Sequence, residues 1–257
     1  MILSAHVADV GVAKALNALR CTPDPAAIIG LRFARTWLTA ELRRGMLPSI
    51  GVTGAIMIAA WDDDESLDRF LQHKGAKPYE DGWRVRLRPA RTLGMLPGLP
   101  DLPRQERPTG DGPVAALTMG KVRANRFLPF IKAAGAAERD AATHPGFLEG
   151  VTLIRPPLVI GTFSLWRNAG DMRQYAVGSY PGGHMRAIEK DRKLQFNHDM
   201  FFSRHIPYAA DGQWKGRDPL ADLQPPVNRV QPAANDRVND TEEAAASAGR
   251  AACGDDA

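Results

Sequence analysis

Apolar and polar positions recur with two different periods along the second half of the chain. "GPVAALTMGKVR" (112–123) and "LVIGTFSLW" (158–166) are short apolar runs bounded by Gly, Pro or charge, the pattern of strands. "NRFLPFIKAAGAAERDAAT" (125–143) places Phe127, Phe130, Ile131 and Ala134 on one face at helical spacing, with Pro129 confined to the first turn. "PGFLEGVTLIRPP" (145–157) reads as a strand between prolines. Residues 168–177 form a short helix, and 182–194 form another or its continuation past Pro181. "HDMFFSRHIPY" (198–208) is a last strand. The order β-α-β-β-α-β is the ferredoxin-like plan.

The first half repeats part of this pattern. "AIMIAAWDDDESLDRFL" (55–71) aligns with "IGTFSLWRNAGDMRQYA" (160–176) through Trp61 and Trp166. Leu67 then falls on Met172 and Phe70 on Tyr175. In both, an apolar strand ends at Trp, a polar cap follows (Asp62 to Asp64, or Asn168), and a helical period begins. The shared order points to an internal duplication. Tandem ferredoxin-like repeats set two four-stranded sheets face to face, so the expected fold class is α+β, an α+β barrel. "PAAIIGLRFARTWLTAELRRGM" (25–46) carries apolar residues at helical spacing and predicts the first repeat's helix.

These elements divide the chain. Residues 1–93 form a first repeat with an N-terminal helical extension. Residues 94–113, rich in proline and glycine, form a linker. Residues 114–217 form the second repeat. Residues 218–257 form an acidic tail with few large apolar residues, which cannot offset chain entropy and is expected to be disordered.

Charge is uneven between these parts. The tail carries eight acids and three arginines, a net of −5, so the total of +4 leaves +9 on residues 1–217. A basic body attracts nucleic acid, anionic lipid or a propionate-bearing cofactor. The cations are scattered, without the aromatic-basic ladder of a single-strand binder, and no nucleic-acid partner is expected. No apolar run approaches the roughly 20 residues of a membrane span. The N-terminus lacks the pattern of a signal peptide, so a cytoplasmic protein is expected. Two distant cysteines, Cys21 and Cys253, make neither a disulfide framework nor a zinc cluster.

Motifs for unaided chemistry are absent. There is no G-x-G-x-x-G after a strand, no G-x-S-x-G, no H-E-x-x-H and no C-x-x-C. "TMGKVR" lacks the earlier glycine and the following Ser or Thr of a phosphate loop. Asp62 to Glu65 read as a helix start. Among the histidines, His6, His73 and His144 sit in contexts typical of surface or capping residues. His184 differs: it follows the turn "YPGG", begins a helix, and has Ala187 and Ile188 at i+3 and i+4. Such an imidazole either bonds backbone at the helix start or ligates a haem iron. His198 and His205 are seven apart on one strand, so they face opposite sides and cannot easily share a metal.

Val114 to Leu220 resembles the spheroidene monooxygenase family, the carotenoid ketolases and their relatives. The matching stretches are "AALTMGKVR", "TFSLW" with the "MRQYA" helix, "GGHMRAI", "SRH" and the close "GQWKGRDPL". The first half agrees more loosely, through "GVTGAIMIAAWDDDESLDRFL". The resemblance implies a haem-binding protein of the dimeric α+β barrel class that inserts oxygen into a long apolar, carotenoid-like substrate, with electrons from an external donor such as ferredoxin. By position it implies His184 as the iron ligand, Arg204 as a basic group for a propionate or bound oxygen, and Phe196 and His198 as further site residues. Where the family has a Trp-Phe pair, this chain has Phe196-Asn197, followed by His198. A lipid-resident substrate implies transient contact with a membrane surface. Two other readings keep the fold: a cofactor-free oxygenase or small-molecule binder, and a non-catalytic haem carrier.

Overall fold

The computed structural model describes residues 1–42, 51–102, 112–178 and 182–221. The expectation of a disordered tail, apart from its first four residues, lies outside them, as does Cys253. Eight antiparallel strands close into a barrel: β1 (Ile2–Ala8), β2 (Leu31–Glu41), β3 (Val52–Trp61), β4 (Trp83–Leu93), β5 (Val114–Val122), β6 (Phe147–Arg155), β7 (Val159–Trp166) and β8 (Asn197–Asp211). Around it lie α1 (Gly11–Arg20), α2 (Asp64–Leu71), α3 (Phe127–Thr143), α4 (Ala169–Val177) and α5 (Gly183–Leu194).

The strand order β1-β3-β2-β6-β7-β5-β8-β4 contains the same arrangement twice. Each half has its last strand beside its first, then its third, then its second. The halves join where β2 pairs with β6 and β4 with β8, which removes every sheet edge. The two helices that follow the aligned tryptophans start as the sequence predicts. Asp63 caps α2 by accepting from the Ser66 amide at 2.8 Å, and Asn168 caps α4 by accepting from the Asp171 amide at 2.8 Å.

The N-terminal segment departs from expectation. It opens with strand β1 rather than a helical extension, and the first repeat's helix is α1, not residues 25–46. The apolar run in that region is strand β2. Phe33 and Trp37 point into the barrel while Leu31 and Leu38 join the outer core under α1 and α2. With both faces buried, and register shifts at Leu31/Phe33 and Thr39/Ala40, the alternation disappears and a helical spacing is mimicked.

The barrel interior is packed. Trp37, Trp83, Phe163, Phe201 and Trp214 fill it together with aliphatic side chains. Each end is closed by a segment outside the strands. After β4, Leu96 and Leu102 of the proline-rich stretch fold onto the interior core. After β8, Trp214 and Leu220 do the same at the opposite end, where the Trp83 indole donates to Asp218 at 2.9 Å. Among the described residues the interior is therefore core.

Candidate functional site

The duplication shows where space has been left. Ile2 pairs with Trp61 and Val114 pairs with Trp166, so Ser4, His6 and Ala8 of β1 correspond to Ala116, Thr118 and Gly120 of β5. In the first repeat the outer face of the sheet is filled: the His6 ring lies 6.2 Å from Phe70 and 6.0 Å from Tyr79, and Phe70 lies 4.9 Å from Trp61. His6 is thus a buried core residue, not a surface one. In the second repeat Tyr175 stacks on Trp166 at 4.9 Å, as the alignment of Phe70 with Tyr175 implies. Thr118 and Gly120 put no ring beside them, and α3 adds alanines. The result is a cavity of about 490 Å³ between the outer face of β5 and β7 and helices α3, α4 and α5. Its walls are mostly apolar, the character of a small-molecule site.

His184 is on that wall. Two glycines place it. Gly182 has φ +79°, a left-handed turn into α5, and Gly183 packs so tightly on α3 that an added Cβ would lie 2.3 Å from an Asp140 carboxylate oxygen. The Gly183 amide donates to that same carboxylate. The ring packs against Tyr175 at 4.7 Å between centroids. Nδ1 lies 2.9 Å from the Ala176 carbonyl oxygen, to which it can only donate, leaving the Nε2 lone pair free. Burial lowers the imidazole pKa, opposed by the Ala176 bond and Asp140, which favours the neutral ring. A neutral imidazole oriented through its other nitrogen is the state in which histidine ligates a metal. Among the described residues no group of three His, Cys, Asp or Glu could hold a metal ion.

The other predicted site residues divide. Phe196 is buried in the cavity wall, with its ring edge against Phe130 at 6.2 Å. Asn197 also lines it; its Nδ2 donates to Asp191, and its buried Oδ1 has no partner among the described residues. Arg204 does not line the cavity. It is on the sheet's outer face, paired in register with Ala116, and its pKa is lowered by burial and by Arg91 and Arg173. His198 is exposed at the start of β8, opposite Lys121, and is not part of the cavity. It is one position off the cavity-lining Asn197 and Gly120 in the β5–β8 register, so the structure does not bring His198 to the site. His205 points away from it, fully buried, with Nε2 2.8 Å from the Ser203 hydroxyl. His73 and His144 accept from the amides of Gly75 and Gly146, each at 3.0 Å.

No family model matches the chain. The spheroidene monooxygenase of Rubrivivax gelatinosus is 30% identical over 195 residues, covering 73% of this chain and 73% of that protein. The chain belongs to the spheroidene monooxygenase family. The enzyme of that name from Rhodobacter capsulatus is 27% identical over 178 residues, 65% of this chain and 71% of its own. Membership places the chain among monooxygenases. Among solved structures, an anthrone oxidase-like protein covers 82% of this chain and 91% of its own at 13% identity, with a TM-score of 0.32, a general likeness only.

Two residues of the cavity wall escape a reading by motif. Glu138 lines the cavity and is only 7% exposed. Its signal was present, because it follows Ala134 by four and so sits on the apolar face of α3. Tyr175 was legible only as the counterpart of Phe70. Its hydroxyl donates to the Ala137 carbonyl at 3.1 Å, tying α4 to α3 over the cavity.

Proposed function

We propose that the chain is a haem-dependent oxygenase of a long apolar, carotenoid-like substrate, with His184 as the protein's iron ligand. The observation that carries this reading is the His184 imidazole: on the wall of an apolar cavity, oriented by the Ala176 carbonyl through Nδ1, with no partner for Nε2 among the described residues. Haem bound there would supply dioxygen activation, with electrons from an external donor such as ferredoxin. The chain's own residues do the rest. Trp166, Met172, Phe130 and Phe196 exclude water and hold an apolar ligand by contact. The small floor of Ala116, Thr118, Gly120 and Gly161 admits it against the sheet. Arg204, half-buried on the same face, is a cation for an anionic group beyond the cavity edge.

The surroundings of the cavity support contact with a membrane surface. The cavity reaches solvent where Arg192 and Met200, both exposed, form its wall. At that same end of the barrel Leu93, Met95 and Leu128 are exposed, together with Lys121, Lys132 and Lys193. Apolar side chains ringed by lysines suit an anionic bilayer that holds the substrate.

A visible spectrum of the purified protein, expressed with ample haem, tests the cofactor. A Soret band is expected, and His184→Ala should abolish or strongly shift it while the fold survives. His198→Ala and His205→Ala should leave it nearly unchanged. Absence of the band in the wild type would remove haem and bring the cofactor-free oxygenase forward. Reductant-dependent turnover separates an oxygenase from a haem carrier.

A further inference from the structure

Glu138 stands out among groups that the proposed chemistry does not use. It is on α3, in the wall of an otherwise apolar cavity. Its Oε1 accepts from the Thr152 hydroxyl at 2.8 Å, while Oε2 is buried with no partner among the described residues. Among the described residues no cation pairs with it and the Thr152 hydroxyl is its one hydrogen-bond partner, while Asp140, two residues on, accepts from the Gly183 amide. Burial pushes its pKa up to about 7, only partly offset by the Thr152 bond. A neutral carboxylic acid has one hydroxyl. Because Oε1 is already an acceptor, the proton belongs on Oε2, the oxygen without a partner. A buried donor left unmade is costly, so its retention here calls for a partner that arrives with the ligand.

We propose that Glu138 is a binding residue that donates a hydrogen bond from Oε2 to an acceptor oxygen, such as a carbonyl, on a long apolar ligand in this cavity. The proposal rests on the cavity being the substrate site, but not on haem. It makes the site selective for oxygenated over purely hydrocarbon chains. A pocket built around a hydrogen bond rejects the analogue that lacks it more strongly than one built on apolar contact alone.

The test compares a long-chain methyl ketone with the alkane of equal length, each displacing a fluorescent apolar dye from the full-length protein at pH 6. Wild type should bind the ketone about tenfold more tightly, the worth of one hydrogen bond in a dry site. Glu138→Leu should bind both ligands alike. Glu138→Gln, whose amide N–H can replace the hydroxyl as donor, should restore most of the preference, a rescue that a merely structural role would not give. If wild type binds both ligands equally, or Glu138→Leu keeps the preference, the proposal is overturned while the cavity stands. If wild type binds neither ligand, the cavity reading falls, and this proposal with it.

Discussion

At the scale of single residues, the site depends on glycines as much as on its histidine. Gly183→Ala would bring a methyl within 2.3 Å of the Asp140 carboxylate and 3.0 Å of the Ala136 carbonyl. Helix α5 must then lift from α3 and carry His184 with it. The expected loss is about 1–3 kcal/mol of stability, the usual cost of overpacking. Loss of the Soret band or of ligand affinity should exceed that of a control such as Gly112→Ala, where nothing lies within 4 Å. Thermal melts and titrations of the two variants decide it. His184 was legible in the sequence because a glycine turn and apolar neighbours at i+3 and i+4 mark a ring held between helix and sheet. His198 was not excluded there, because a strand's alternation does not say which of its faces meets the helices. Glu138 was missed since an acid on a helix is ordinary until the face it occupies is known.

At the scale of elements, the same strand-Trp-cap-helix unit is used once as core and once as container. The first repeat spends its outer face on packing His6, Phe70 and Tyr79, and the second leaves that volume open by placing Thr118 and Gly120 where the first has His6 and Ala8. The duplication was legible through Trp61 and Trp166, because a large side chain at a strand end fixes an alignment. The strand β2 was not legible: a strand covered on both faces loses its period of two. If the small floor makes the cavity, Thr118→Phe should refill it as the first repeat is filled. The melting midpoint should stay level or rise, because apolar volume enters an existing space. Binding of an apolar dye should fall at least tenfold. A variant that melts early and still binds would show that the space is not where the register puts it.

At the scale of the whole molecule, the barrel is a closed core with a plug at each end, and the apolar cavity lies on its outer wall. Trp214→Ala should therefore cost about 3–5 kcal/mol in urea unfolding without changing dye affinity. Buried titratable groups make a second molecular-scale prediction. Burial lowers His205 to about 4, and burial with the charges of Arg84 and Arg86 lowers His6 to about 3, from 6.5. The unfolded chain then binds protons that the folded chain refuses. Both contributions are fully present above pH 6.5 and are lost as pH falls below it. Glu138 acts with the opposite sign. Its folded pKa of about 7 stands above the ordinary 4.5, so its contribution is present below 4.5 and is lost as pH rises through 7. Between pH 6.5 and 4.5 the two histidines favour proton uptake on unfolding by roughly two protons, and Glu138 opposes it by roughly one. The wild type should lose stability at roughly 1.4 kcal/mol per pH unit across this window from these groups. Glu138→Gln removes the opposing group, so its slope should be about twice as steep. Carboxylates elsewhere titrate alike in both proteins and cancel in the comparison. Urea unfolding of the pair at pH 6.5, 5.5 and 4.5 measures the two slopes. Equal slopes would mean that Glu138 is already ionised in the folded protein, which would also remove the donor on which its ligand-binding role depends.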